Sequence, residues 1–479
     1  PFCPSAAAWD APPLVLAPYA GAWQVAASRY RRWFDSQVAV LAAPPWVREC
    51  SGWLLAVLKQ QHGEVMWDYR TGLDELCDLA LERGLDVLGL FGWAHGGHDG
   101  RYPEHYPDPL MGGAPALRAA LTRARERGLR TILYANGSLI DTATDFYRYV
   151  GNEALALREN RELYLQSIRK FHSATPVTFA MGCLGAEAWR RQLRSLAQQA
   201  LELGADGILF DQLGVFGPLS CFATHHRHAT PAEAFTRERV SLLSEIATAM
   251  RQQNPEFVVA TEGVIDALAG AVGFYHGWGT GFAQPTAPQH MFGGENAFGD
   301  LFRATFPELV MTQRQANPMT TRAEAHYALV HGLRHEIETR YPADVRYLRE
   351  GRLPEPADYA DCAYYPPDVE TVRSLTADEA AACLQALTAF GQRHAAFLRH
   401  GRFVGERGFI NASDGLVAKA FTAGDQLAVC VWNPTAEARP CEISVPNGRL
   451  VSCAEPHSET VDPASPLGAE TVRLLVFAR

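Results

Sequence analysis

The stretch Gly204-Ala205-Asp206-Gly207-Ile208-Leu209-Phe210-Asp211-Gln212-Leu213-Gly214 decides how the rest of the chain is read. An amphipathic helix ends near Leu203, a short apolar run follows at Ile208–Phe210, and the run closes on an acid, Asp211. Helices alternating with short apolar strands make a parallel α/β fold. In a closed barrel of that kind the carboxyl ends of the strands form the active-site face, so an acid there reads as catalytic. The pattern recurs in Phe257-Val-Val-Ala-Thr-Glu-Gly263, which puts Glu262 at the end of the next strand.

Working outward, the same rhythm predicts strands at Trp53–Leu58, Asp86–Phe91, Leu129–Ala135, Ile208–Asp211 and Phe257–Thr261. Helices are expected at Gly72–Arg83, Pro115–Arg127, Ala186–Leu203 and Pro231–Gln253. Residues 136–184 are too long for a plain connection, and Tyr164–Phe171 alternates enough to be a strand within them. Leu309–Gln313 is expected as the seventh barrel strand, while the sixth and eighth have no clear apolar run. Arg322–Arg340 and Ala377–Leu398 read as helices. Before the barrel, Ala22–Phe34 reads as one helix anchored by Trp23, Tyr30, Trp33 and Phe34. From about Gly401 short alternating runs replace the rhythm: Gly415–Phe421, Gln426–Trp432, Glu442–Val445 and Thr471–Ala478. They predict a small antiparallel β-sandwich. The expected division is a lead-in over 1–45, a (β/α)8 TIM barrel over 46–400 and the β-sandwich over 401–479.

The chain's 479 residues exceed one ordinary core. Its 53 acids against 43 Lys and Arg give a net charge of −10, which argues against a nucleic-acid or anionic-membrane partner. No apolar run approaches the length of a membrane span. Ten cysteines are scattered without a Cys-x-x-Cys; Cys77, Cys383 and Cys430 lie on apolar faces, as buried free thiols do. This mildly favours a reducing compartment. The chain begins Pro1-Phe2-Cys3, without a Met, and reads as processed, trimmed or a fragment.

Neighbouring strand ends lie about 4.8 Å apart. Asp211 and Glu262 are therefore expected within about 5–7 Å, overlapping the roughly 5–5.5 Å separation of retaining glycosidases. In that mechanism one carboxylate is a nucleophile, and the other a general acid kept protonated by burial and by its neighbour's charge. The bland alternative makes Asp211 a helix cap and Glu262 an arginine's partner; two successive strands ending alike favour catalysis. The loop Phe91–Gly113 leaves the second strand on the same face, and offers Trp93 for stacking on a sugar ring with His98 and Asp99 for its hydroxyls. Asn136, at the end of the third strand, is as readily a hydroxyl ligand as a turn residue. Gln212 follows the first acid, and the glycine-rich Gly273–Gly281 supplies Tyr275, His276 and Trp278. Its Gly-x-Gly patterns do not open a helix after a strand, so a nucleotide site is not expected. His225, His226 and His228 could join His95, His98 and Asp99 around a metal. Their spacing fits no metal signature, and solvated loop histidines are the expectation; no metal and no cofactor are assigned.

Trp93 with its Gly-Gly-His-Asp loop, Leu133–Gly137, Asp206–Gln212 and Thr261–Gly263 together resemble a bacterial family of glycoside-hydrolase-like barrel proteins, known chiefly as a domain of unknown function. More distantly the chain is similar to α-galactosidases, α-amylases and endo-α-N-acetylgalactosaminidases. The resemblance covers roughly residues 20–400, and a C-terminal β domain is usual in such proteins. It implies a strand-end Asp nucleophile and a Glu acid/base, carried onto Asp211 and Glu262. Many such proteins also carry a large β-sandwich before the barrel, where this chain has a short lead-in. The expected activity is hydrolysis of a galacto- or gluco-configured glycoside with retention. The alternatives are a metal-dependent barrel hydrolase using the loop histidines, or a carbohydrate-binding barrel without catalysis.

Overall fold

A computed structural model describes residues 8, 10–11, 13–215, 217, 219–277, 299–313, 322–364, 369 and 375–479. Eight parallel strands form the centre: β1 (Gly52–Val57), β2 (Val87–Phe91), β3 (Arg130–Asn136), then β7 (Gly207–Asp211), β8 (Val258–Glu262), β9 (Phe274–His276), β10 (Val310–Met311) and β11 (His335–Thr339). Each is bonded to the next in that order, and β11 returns to β1 with Gly52 opposite His335. A parallel bridge between Thr312 and Arg334, just past β10 and just before β11, closes the ring. The fold is the α/β TIM barrel that the strand–helix rhythm predicted.

The helix Glu187–Leu203 shows how the rhythm is built. It buries Trp189, Leu193, Leu196, Ala197, Ala200 and Leu203 along one face. It stops at Gly204, whose φ of 95° is the left-handed cap that glycine adopts without a Cβ penalty. The chain then turns directly into β7.

Between β3 and that helix, residues 139–181 form an antiparallel three-stranded sheet of β4 (Leu139–Asp141), β5 (Leu165–Ile168) and β6 (Val177–Met181), in the order β4-β6-β5. β5 falls within the expected Tyr164–Phe171 run. The sixth barrel strand, β9, has three residues and follows β8 through a single 3-10 turn at Asp266–Leu268. The eighth, β11, reads His-Glu-Ile-Glu-Thr and is wholly buried. The expected helix Arg322–Arg340 therefore ends at Val330, and its last part is this strand.

The lead-in helix runs Gln24–Gln37 on the outside of the barrel. Of its four expected anchors only Phe34 is buried, edge-on to Phe306 at 4.9 Å. Trp33 is 56% exposed and Tyr30 40%, because the helix presents a single narrow stripe to the barrel. Tyr30 is held instead by its hydroxyl, which donates to Asp266.

C-terminal to the barrel, β12 (Arg402–Gly405), β14 (Val417–Ala423), β15 (Gln426–Trp432), β18 (Val472–Ala478) and β17 (Arg449–Ala454) make a five-stranded antiparallel sheet. β13 (Ile410–Asn411) and β16 (Ile443–Ser444) form a ribbon beside it. Lys419 Nζ on β14 meets Asp300 at 2.5 Å and ties this sheet to the barrel helix Gly299–Thr305. Among the described residues nine cysteines are free thiols, and no helix is long and apolar enough to cross a membrane.

Candidate active site

Register sets the two acids side by side. β7 and β8 pair through Gly207–Val258, Ile208–Val259, Leu209–Ala260 and Phe210–Thr261; the next residue along each strand is Asp211 and Glu262. Both are partly exposed at the carboxyl end of the barrel, beyond strands that are otherwise buried.

Asp211 is held from β3, whose Asn136 is its registered neighbour. Its Oδ2 accepts from Tyr134 Oη at 2.8 Å and from Asn136 Nδ2 at 3.0 Å. Tyr134 and Asn136 are two apart on one strand, so both side chains point to the same side. Burial, then the Asp211 charge, push the Tyr134 hydroxyl well above its ordinary value, so it remains a donor. Asn136 is itself fixed, because its Oδ1 accepts from the Ser138 and Leu139 amides at 2.9 and 2.7 Å. Among the described residues nothing donates to Asp211 Oδ1. One carboxylate oxygen is thus anchored by two donors, and the side chain is partly exposed at the strand end.

A second charged group lies beside this pair. Asp99 Oδ2 is 2.6 Å from Lys170 Nζ and 3.7 Å from His98 Nε2. Burial would raise the Asp99 carboxyl, but the His98 and Lys170 charges hold it well below the usual carboxylate range. Lys170 Nζ also sits 3.5 Å from the Tyr364 ring centroid, as a cation–π pair. On β9, in register with Glu262, His276 Nδ1 lies 2.9 Å from Glu336 Oε2, which also accepts from Thr312 Oγ1 at 2.5 Å. Glu338 pairs with Arg340. Tyr134, Lys170, Glu336, Glu338 and Arg340 were not singled out in the sequence. Tyr134 had a usable signal, two residues before Asn136 on an apolar strand. Lys170 had none, since it arrives from the inserted sheet.

Three expected sugar contacts have other surroundings. Trp93 is 3% exposed, with its Nε1 donating to Tyr134 O at 2.7 Å and its ring 5.9 Å from that of His105. It is a pillar under the loop rather than an open platform. The loop itself is stapled down, Lys59 Nζ bonding Asp108 at 2.5 Å and His95 O at 2.8 Å. Tyr275 points out of the barrel. Its strand neighbours Phe274 and His276 both lie against Trp53, with centroids 5.3 and 5.2 Å away, whereas the Tyr275 ring faces Phe302 of an outer helix. Asn136 is fully buried, with its amide spent inside the protein. His98, Asp99, Gln212 and His276 lie at the strand-end face, though they too are buried, at 7%, 5%, 7% and 2% exposure. Gln212 carries a φ of 68° immediately after Asp211, a left-handed conformation that is uncommon for a side-chain-bearing residue. Trp278 lies outside the described residues.

The histidines after β7 are not the solvated set expected. His225 is exposed, but His226 is 9% exposed, and His226 and His228 gather with Cys183 and Cys221. Among the described residues no cluster joins them to His95, His98 or Asp99. Spacing along the sequence could not reveal this, because Cys183 belongs to a different connection.

Replacing Trp93 with Ala is expected to destabilise the fold by about 3–5 kcal/mol, the usual cost of emptying a buried indole site, measured by urea unfolding. A stable variant whose only defect is a raised KM would return Trp93 to the sugar.

The family described as "Domain of unknown function (DUF6259)" matches residues 11–284. The chain belongs to this family. A protein of Bacteroides thetaiotaomicron named "Putative glycoside hydrolase" is 25% identical over 244 residues, which is 48% of this chain and 33% of the relative. The match thus spans a third of that relative's length. Among solved structures, the α-N-acetylgalactosaminidase NagBb of Bifidobacterium bifidum superposes with a TM-score of 0.58 at 14% identity, over 85% of this chain and 61% of that one. The cyclic α-maltosyl-(1→6)-maltose hydrolase of Arthrobacter globiformis gives 0.55 at 15% identity, over 91% and 100%. At such identities these likenesses establish the barrel fold.

Proposed function

We propose that this family member is a retaining glycoside hydrolase acting on a galacto- or gluco-configured glycoside, with Asp211 as nucleophile and Glu262 as acid/base. The observation that carries the reading is the register-matched pair of strand-end acids, one of them anchored through a single oxygen. A nucleophilic carboxylate needs one oxygen fixed and the other aimed at the anomeric carbon. Tyr134 and Asn136 supply the fixing bonds to Asp211 Oδ2. Strand spacing near 4.8 Å leaves little room for a water between carboxylate and sugar. The names of the relatives support the substrate class: a glycoside hydrolase, an N-acetylgalactosaminidase and a maltosyl-maltose hydrolase.

In the first step Asp211 Oδ1 attacks the anomeric carbon, the glycosidic C–O bond breaks, and Glu262 gives its proton to the departing oxygen. In the second, Glu262 takes a proton from water as the water's oxygen attacks the same carbon and displaces the Asp211 ester. Two inversions give net retention. In this reading His98, Asp99, Gln212 and His276 hold sugar hydroxyls, and Asp99 keeps its charge through Lys170. Asn136 acts as a positioning residue through Asp211.

A panel of chromogenic α- and β-glycosides would find the substrate. Proton NMR of its hydrolysis should then show the first-formed product with the substrate's own anomeric configuration, and an activated fluoro-sugar should leave an ester on Asp211, visible by peptide mass spectrometry. An inverted first product would sink the two-carboxylate geometry proposed here.

A further inference from the structure

We propose that Cys183, Cys221, His226 and His228 bind one zinc ion, and that this ion is a structural clamp on the segment following Asp211. The four side chains offer ligand atoms that all lie within 4.8 Å of one another. In a tetrahedral site with Zn–S near 2.3 Å and Zn–N near 2.0–2.1 Å, ligand atoms stand roughly 3.3–3.8 Å apart. A contraction of about an ångström at the widest pair completes that geometry, and Cys221 Sγ is already 3.5 Å from His226 Nδ1.

The surroundings fit an ion better than an ordinary polar cluster. Cys183 and Cys221 are fully buried, and both are free thiols. His228 Nε2 is buried and finds no hydrogen-bond partner, and His226 Nδ1 meets only the Cys221 thiol. Gly185 shows how closely the site is drawn in, since a Cβ there would come within 2.7 Å of His228 Cδ2. The donor set selects the metal: two thiolates and two imidazoles suit zinc and not the hard cations, which take oxygen ligands. Four protein ligands leave no open coordination position, so the site is structural rather than catalytic.

Its place in the fold gives it a purpose independent of the glycosidase reading. Cys183 lies between β6 and the helix that feeds β7. The other three ligands lie on the long connection after β7, which begins at Gln212. Hydrogen bonds already run between that connection and neighbouring segments: Phe222 N to Leu157 O, Tyr164 Oη to Ser220 O, Arg161 to Phe222 O, His225 to Asn152 O and Arg227 N to Gly185 O. A zinc ion would cross-link the inserted three-stranded region to the segment that leaves the strand-end face.

The test uses the whole chain, purified under reducing conditions without added metal. Elemental analysis should find about one zinc per chain, and removal with a strong chelator should lower Tm, with recovery on adding zinc. Cobalt in its place should show thiolate charge-transfer absorption, which surface histidines do not give. His226→Ala/His228→Ala should lose the ion while keeping the native circular dichroism, and Gly185→Ala should weaken zinc binding without removing a ligand. The proposal is overturned if the chelator-stripped protein takes up no stoichiometric zinc, if it holds copper instead, if the double variant binds zinc as the parent does, or if native peptides reveal a Cys183–Cys221 disulfide.

Discussion

Asp211→Ala is expected to lower kcat on an activated aryl glycoside by roughly four orders of magnitude or more, the scale on which loss of a catalytic nucleophile is usually felt, with little change in Tm. The second half of that expectation makes the first informative. Asp211 is partly exposed, so truncating it opens no sealed cavity. One of its two donors also need not be stranded, since Asn136 Nδ2 already lies 3.3 Å from Tyr134 Oη and can turn its proton there, while the Tyr134 hydroxyl turns to water admitted at the partly exposed strand end. The buried-donor penalty of about 1–3 kcal/mol per group is therefore largely avoided. Asp211→Asn provides the control: it keeps the shape and removes the charge, and turnover should fall nearly as far. Circular dichroism and thermal unfolding check the fold, and stopped assays with concentrated enzyme check the residual rate. A folded variant retaining near-normal turnover would remove Asp211 from the mechanism.

Asp211 could be located from sequence because it ends an apolar strand, and the other well-read strands share that character. β1, β2, β3, β7 and β8 are buried on both faces, so their residues are apolar in unbroken runs. The two barrel strands without a sequence signal depart from this rule for physical reasons. β9 is three residues long and lacks a helix before it. β11 alternates acids with other residues, because Glu336 and Glu338 face a lumen filled with polar partners. A hydrophobicity criterion passes over a strand that turns its acids into the barrel. The same limit applied to Trp93, Tyr275 and the histidine pair. Residue type named a plausible contact for each, but the direction of the side chain depended on strand parity or on a distant segment. Tyr275 faces outward because His276 faces in. His226 is buried and His228 half-buried because Cys183 arrives from another connection.

Glu262→Ala should respond to the leaving group, and that response separates its role from that of Asp211. General-acid assistance is worth about 10²–10⁴-fold, and it matters most when the departing oxygen is a poor leaving group. A substrate with an unactivated sugar or alkyl leaving group should therefore lose about that factor. A dinitrophenyl glycoside, which departs without a proton, should form the Asp211 ester at close to the parental rate and then accumulate it, because no base remains to activate water. Steady-state turnover becomes limited by this second step and should show a pre-steady-state burst. Added azide needs no deprotonation, so it should restore turnover and yield a glycosyl azide with the substrate's own anomeric configuration. If the two roles were exchanged, azide would give an inverted glycosyl azide with Glu262→Ala and a retained one with Asp211→Ala, and Glu262 would carry the trapped sugar. If Glu262→Ala lost every substrate equally and azide rescued none, Glu262 would be a structural partner, and the acid would have to be sought among Asp99, Glu336 and Glu338. Of these, Asp99 is the weakest donor, because His98 and Lys170 hold it ionised.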